Sequence, residues 1–480
     1  MTRVFSIQDQ ELFARLSGDY NPIHMDPVAA RRLLFGRPVA HGVHVLLWAL
    51  DSWLRQKSAP LRLTKLSATF RGPVGVNDAV ELRVGAGPEG EVGMEVTGQN
   101  GKLLTLKLTA EAAIDTGIVV PGTPPDVGLP RDRTASEGRS ASGRLPLSLN
   151  REIAAKLFPD ALRALPAEQV AGLLATTRLV GMEVPGLHSI YTGLELAASN
   201  ELSEPVLNYS AEEFDDRFSL LRLKVACPGL SGHVSAAIRP APARQATYDA
   251  VRSCVDAGEF RGERAMVIGG SRGLGEVAVK ALAAGGSDVR FSYHRGRAEA
   301  ESIASEVAAR GGLADCFAYD VLKDAPNLPS LVGVWSPTLL CYFTTPFISA
   351  SSAKRFDYAM FTSFCDYYVG GFVSTVGAAA ALGKDLTDVL FPSTVFLDEV
   401  PPNMGEYAAA KAAGETACRF LPKMFPTVRF HWPRLPRLAT DQTASLLPAG
   451  NADPVVAVLR ALREMRAARN KESIRLGPSA

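Results

Sequence analysis

Two short stretches of this 480-residue chain combine residue types whose spacing suits proton transfer. In the first, Ser17-Gly18-Asp19-Tyr20-Asn21-Pro22-Ile23-His24, a carboxylate and an imidazole stand five residues apart on a turn bounded by Gly and Pro. Ionised carboxylate and neutral imidazole coexist near neutral pH, so the pair can take a proton from one carbon and hold water or hydroxide at the next. An acid and a histidine at this spacing also occur in ordinary capped turns, so the surroundings decide. In the second stretch, Tyr407-Ala408-Ala409-Ala410-Lys411 puts a phenol and an ammonium four residues apart on one helix face, where the cation can lower the phenol pKa. The phenol can then protonate a carbonyl that receives hydride, oriented by a hydroxyl from Phe391-Pro392-Ser393-Thr394.

The first motif continues through Met25-Asp26 and an Ala/Arg/Leu helix into Phe35-Gly36-Arg37-Pro38-Val39-Ala40-His41-Gly42. The whole string resembles the signature of the MaoC-type (R)-specific enoyl-CoA hydratases. That resemblance implies a hot-dog fold, a long helix wrapped by a curved antiparallel sheet, in which Asp19 and His24 activate a water that adds across, or leaves from, the α,β carbons of an acyl thioester. The elements that must position the pair follow in the expected order. Gly42–Leu54 is apolar on nearly every face and suits a helix enclosed by a sheet. The alternating segments 63–70, 79–84, 92–98 and 103–112, with turns at Gly87-Pro88-Glu89-Gly90 and Gln99-Asn100-Gly101, read as antiparallel strands. Asn21, His41 and Gly42 are the candidates for contacting the substrate or stabilising its thioester oxygen at the helix start; close packing by Gly42 and capping by His41 is the alternative.

Beyond this first unit, residues 1–116, the composition shifts to Pro, Gly, Arg and Ser, including Pro121-Gly122-Thr123-Pro124-Pro125, and residues 117–149 read as a connector. The helix-then-strands order then returns over residues 150–245, with a helix at 167–180 and strands at 206–209, 217–226 and 232–239. This second, degenerate hot dog has no Asp-x4-His of its own. His188 and Ser189 either line an acyl tunnel or are satisfied structural residues.

Residues 260–480 change character. A buried strand, Arg264–Ile268, runs into Gly269-Gly270-Ser271-Arg272-Gly273-Leu274-Gly275 and a helix, a turn that lets backbone approach a pyrophosphate. The Gly-x3-Gly-x-Gly spacing resembles the short-chain dehydrogenase/reductase family, with its α/β doubly wound Rossmann fold. The strand Asp288–Tyr293 ends in His294-Arg295 rather than an acid, and with Arg272 these cations favour a 2′-phosphate, hence NADP(H). The resemblance implies adenine contacts from Asp320 and Val321, a nicotinamide contact from Thr440, and catalysis by Ser393, Tyr407 and Lys411. Ser393 is preferred over Thr394 on the supposition of one inserted residue. The chain departs from the family at Thr344-Thr345-Pro346, at Tyr368 where the family presents an Asn, and at Pro433-Arg434.

With 51 Lys and Arg against 50 acids there is no bulk field to favour nucleic acid or an anionic membrane. Six cysteines without C-x-x-C or metal-ligand spacing read as reduced thiols, with no metal expected. No apolar run reaches the roughly 20 residues of a membrane span, and Met1 to Phe5 begin no leader, so a cytoplasmic protein is expected. The expected fold is an α+β double hot dog followed by the doubly wound domain. The expected function is NADPH-dependent reduction of a 3-oxoacyl thioester and dehydration of the (R)-3-hydroxyacyl product to the trans-2-enoyl form, on an acyl-CoA or acyl-carrier-protein substrate, in a possible homodimer. A hydratase with a reductase-like scaffold, or a non-catalytic acyl- or nucleotide-binding regulator, are the alternatives.

Overall fold

Because Gly42–Leu54 is apolar around its whole circumference, it has no face to offer water, and the chain buries it almost completely. The computed structural model describes residues 1–33, 35–99, 101–114, 116–123, 128–199, 203–348, 356–443 and 450–476; Asn100 of the expected hairpin and Pro124-Pro125 of the expected connector lie outside these. The chain forms two units, one of residues 1–241 and one beginning at Pro242.

Among the described residues the first unit has one antiparallel sheet built from β1 (Thr2–Val4), β2 (Leu61–Phe70), β3 (Ala79–Ala86), β4 (Val92–Gly98), β5 (Gly101–Ala112), β6 (Ser142–Pro146), β7 (Ser189–Ala197), β8 (Val206–Asp215), β9 (Leu220–Cys227) and β10 (Leu230–Ile238). Their order is β1-β3-β4-β5-β2-β7-β10-β9-β8-β6, so two five-stranded repeats meet at β2 and β7, with Lys65 to Thr69 opposite Ala197 to Gly193. Each repeat contributes a buried helix, Gly42–Leu54 and Ala167–Arg178, and one continuous apolar core joins them. Gln169 of the second helix bonds both the N–H and the carbonyl of Leu63, at 2.9 Å each, satisfying a buried backbone where β2 is bulged.

The expected connector is corrected at its end. Residues 142–146 form β6, paired with β8, and the short helix Ala135–Arg139 precedes it, so the second repeat begins before residue 150. Ser-Gly-Arg-Leu-Pro has little strand propensity and succeeds only because an edge strand tolerates Gly and Pro.

The second unit starts earlier than residue 260 as well, since Tyr248 and Val251 of the helix Tyr248–Arg252 are buried in its core. Its sheet contains β11 (Arg264–Ile268), β12 (Asp288–Tyr293), β13 (Leu313–Ala318), β14 (Leu339–Tyr342), β15 (Asp388–Leu390) and, beyond the short β16 (Ser393–Thr394), β17 (Arg429–His431). Among the described residues its five pairings are all parallel, in the order β13-β12-β11-β14-β15-β17, and separate apolar clusters cover the two faces. The order reverses between β11 and β14, the point at which doubly wound sheets open a ligand crevice. β18 (Arg434–Leu435) pairs with β16.

Asp388, 1% exposed at the start of β15, fixes the strand that leads to Ser393 and Thr394. Burial alone would raise its pKa, but hydrogen bonds from His431, Arg429 and Thr387 and the field of Arg469 hold it well below the carboxylate range. A carboxyl depressed on folding contributes stability above its unfolded pKa and loses it as pH falls through the folded one. Asp388→Asn should therefore destabilise the protein at pH 7 by about 3–5 kcal/mol, as for a broken buried ion pair, with a smaller deficit in strong acid; chemical denaturation at several pH values checks this.

Candidate active sites

The helix Ile7–Ser17 starts in a capping box between Ser6 and Asp9 and stops at Gly18, whose φ of +77° an L side chain would resist. The turn that follows delivers Asp19 into the interior, 1% exposed. Asn21 then accepts the Ile23 N–H at 3.2 Å and starts the single turn Pro22–Met25, which carries His24. The Nδ1 of His24 lies 2.8 Å from the Val39 carbonyl and must donate to it, leaving the Nε2 lone pair free. One ring or carboxylate atom from each of Asp19, His24 and His41 falls within 4.8 Å of the others, so the sequence pair does converge.

The second repeat completes this centre. Thr177 donates to Asp19 Oδ2 at 2.7 Å, and the Asn21 N–H donates to Oδ1 at 3.2 Å. Gly181, in a π-helical turn (Leu179–Glu183) that extends the second buried helix, lies so close that a Cβ there would be 2.2 Å from Oδ1. Burial raises the Asp19 pKa, opposed by the field of His24 and by these hydrogen bonds. Burial also lowers that of His24, against the field of Asp19, so the imidazole is neutral at pH 7. Thr177 and Gly181 were invisible to sequence reasoning, because nothing in a degenerate repeat marks the residue that faces a partner's acid. The only local signal is the π turn, a feature enriched at functional sites.

Two expected substrate contacts are corrected. Asn21 spends its amide on the carbonyls of Gly181 and Gly186, at 2.9 and 3.2 Å, so it positions the loop and does not face a substrate. His41 is fully buried, its ring nitrogens each 3.0 Å from an oxygen, of Gln10 and of the Asp19 backbone, and it stacks on His24 at 3.8 Å between centroids. Both nitrogens thus face protein oxygens and not a thioester oxygen. Gly42 keeps its place at the helix start, where the first-turn N–H groups lack intrahelical acceptors and a Cβ would meet the Phe70 ring at 2.9 Å. His188 lies 3.4 Å from Asp132.

In the second unit the glycine loop has the geometry its spacing implies. Gly269 and Gly273 take φ of +84° and +58°, and a Cβ on Gly275 would be 2.1 Å from the Gly269 carbonyl. Ser271 is buried, Leu274 packs on the core, and Thr440 overhangs Gly273, its Cγ2 3.9 Å from where a Cβ would be. Arg272 precedes the helix and pairs with Asp441 at 3.4 Å. His294 and Arg295 are exposed after β12, Asp320 lies 3.7 Å from His294, and Val321 is buried. These residues fit a 2′-phosphorylated dinucleotide: a close backbone approach at a helix N-terminus, with cations where the ribose ends.

The proton-transfer group differs from expectation in two respects. Thr394, not Ser393, is the hydroxyl that acts on the Tyr407 phenol, drawing its pKa down against burial, because adjacent strand residues face opposite sides and Ser393 turns to Glu415 at 2.6 Å. No insertion is needed. Lys411 shares the helix face of Tyr407 but donates to the Pro392 carbonyl at 2.7 Å, its ammonium 4.0 and 4.7 Å from the ring centroids of Tyr368 and Phe391. Burial draws Lys411 down to about 7, and burial pushes Tyr407 up to about 12 against the Thr394 hydrogen bond, so the ammonium does not acidify the phenol in this arrangement. Tyr368, at the family's Asn position, is fully buried, bonds the Thr345 hydroxyl and crosses the Tyr407 ring at 5.9 Å.

Residues 2–107 match the family model for the MaoC like domain, so the amino-terminal region is a MaoC-like domain. An (R)-specific enoyl-CoA hydratase of Aeromonas caviae is 36% identical over 87 residues, 18% of this chain and 63% of that protein. The peroxisomal enoyl-CoA hydratase 2 of Arabidopsis thaliana is 40% identical over 63 residues, 13% of this chain and 20% of its own length. The chain thus spans less than two thirds of either curated relative. Among solved structures, a short chain dehydrogenase from Burkholderia cenocepacia J2315 in complex with NADP is 23% identical, with a TM-score of 0.36, over 42% of this chain and 89% of that one. The oxidoreductase yciK from E. coli is 17% identical, with a TM-score of 0.41, over 45% and 94%. Among the described residues no helix is long and apolar enough to cross a membrane.

Gly181→Ala should displace the Asp19 carboxylate and cost about 1–3 kcal/mol, the usual penalty of overpacking; denaturant midpoints and a structure of the variant check both.

Proposed function

We propose that the first unit is a double hot dog that interconverts (R)-3-hydroxyacyl and trans-2-enoyl thioesters, and that the second reduces 3-oxoacyl thioesters to the same (R)-3-hydroxyacyl form with NADPH. The observation that carries this reading is the convergence of Asp19 and His24 around a neutral, correctly tautomerised imidazole. In the hydration direction, His24 Nε2 accepts a proton from a water held between the two side chains, the hydroxide so formed adds at Cβ, and the imidazolium then gives that proton to Cα of the resulting enolate, which returns His24 to its neutral form. Asp19, oriented by Thr177, steadies that water and the imidazolium that forms. The N–H groups at the Gly42 helix start receive the charge growing on the thioester oxygen. Dehydration is the reverse.

In the second unit, bound NADPH would supply hydride. The backbone of Gly269, Ser271, Arg272, Gly273, Leu274 and Gly275 would hold its pyrophosphate, His294 and Arg295 the 2′-phosphate, Asp320 and Val321 the adenine, and Thr440 the nicotinamide end. Tyr407 donates the proton to the carbonyl oxygen, with Thr394 on the phenol. The acyl carrier is coenzyme A or a carrier protein, and a homodimer is compatible with the fold. A second reading, a hydratase whose reductase-like unit does not turn over, is favoured by the engagement of Lys411 with Pro392 and by Tyr368 at the Asn position.

With crotonyl-CoA, Asp19→Asn and His24→Ala should each lower kcat/KM by about 10²–10⁴, read as slower loss of enoyl absorbance. Wild-type activity should fall on acidification through the lowered His24 pKa, since only the neutral base works. Normal hydration by both variants would remove the assignment. With acetoacetyl-CoA, Tyr407→Phe should abolish substrate-dependent NADPH oxidation while hydration persists; no oxidation in the wild type would favour the second reading.

A further inference from the structure

Arg239, just past the end of β10, is about 2% exposed and is one of the largest fully buried side chains among the described residues. An arginine keeps its charge at any physiological pH, and a buried cation without a counter-ion is costly. Yet among the described residues no carboxylate lies within ion-pair distance of it. Its Nη2 donates to the Leu187 carbonyl at 2.6 Å, and Nε is buried with no partner among those residues. Asp132, the acid whose field reaches it, is exposed and faces His188.

The location is what gives this charge meaning. The Leu187 carbonyl that Arg239 grips is also 3.4 Å from the Asn21 amide, inside the loop that carries Asp19 and His24. Arg239 is close enough for its field to lower the pKa of His24. Its own N–H bonds the His188 carbonyl at 2.8 Å, and the Nδ1 of His188 is a second buried nitrogen without a partner. A permanent cation thus sits beside the proton-transfer pair, on a strand end that belongs to the second repeat; His188 turns its Nε2 to Asp132, so its Nδ1 carries the lone pair and adds no donor.

We propose that Arg239 receives a carboxylate carried by the acyl chain, so that the preferred substrates of this centre are monothioesters of dicarboxylic acids. This rests on the thioester hydration proposed above. A carboxylate offers an acceptor oxygen to the unpaired Nε–H and neutralises the buried charge, which an alkyl terminus does not. The phosphates of a coenzyme A carrier are separated from the thioester by the whole pantetheine arm and cannot be the anion this close to the reacting carbons.

The test compares crotonyl-CoA with its carboxylated counterparts, fumaryl-CoA and glutaconyl-CoA, by kcat/KM for hydration. The wild type should prefer one carboxylated substrate by about tenfold or more, and Arg239→Met should reduce that ratio by about tenfold, with Arg239→Lys retaining part of it. Equilibrium binding to the wild type alone, succinyl-CoA against butyryl-CoA, gives the same answer without a variant and should favour succinyl-CoA. Crotonyl-CoA hydrated as well as or better than both diacid thioesters, or a ratio unmoved in Arg239→Met, overturns the inference while leaving hydration intact. Hydration of none of the three would remove the reading on which it rests, and the inference with it.

Discussion

A carboxylate taken out of water remains useful only if other donors replace the water it has lost, and the first unit is arranged around that requirement at Asp19. One replacement, the Asn21 N–H, comes from its own loop; the other, the Thr177 hydroxyl, comes from the opposite repeat. This makes the pairing of β2 with β7 more than a way to close the core. It sets the distance between an acid and its only side-chain donor among the described residues, and the Gln169 bridge to Leu63 stiffens the same seam. A repeat that lacks an acid and a base of its own therefore still has a part in the chemistry proposed for its neighbour.

The second unit solves its electrostatics differently. Lys411 and Tyr407 are both buried, and burial moves their pKa values apart, the lysine down to about 7 and the tyrosine up to about 12, so that the uncharged form of each is favoured. The ammonium is satisfied by a backbone carbonyl and two aromatic faces, not by the phenol. Ser393 is drawn off by Glu415, which in turn takes two hydrogen bonds from Arg434. These replacements are connected: Arg434 brings in Glu415, Glu415 recruits Ser393, and Thr394 is left facing Tyr407.

What the sequence made legible follows from how local each signal is. Gly42–Leu54 and Arg264–Ile268 were readable to the residue because an all-round apolar helix and a short buried β run have few competing interpretations. The glycine loop was readable because its φ values admit little else. β6 was not, since an edge strand needs no propensity of its own when β8 supplies the ladder. Asn21 and His41 were placed in the right neighbourhood with the wrong partners: side-chain type tells that a group will bond, while only tertiary packing tells to what. Thr177 lies 158 residues from Asp19, and no pattern along a single chain encodes that contact.

The two borders of the antiparallel sheet carry a further implication. β1 has three residues and β6 has five, ending in Pro146, so the stretches of unsatisfied backbone at either side are short and one is interrupted by an imino acid. A sheet this wide with long margins would be a template for indefinite lateral growth from molecule to molecule. Here each outermost strand is short and one ends in an imino acid, which makes these borders poor templates for a further strand.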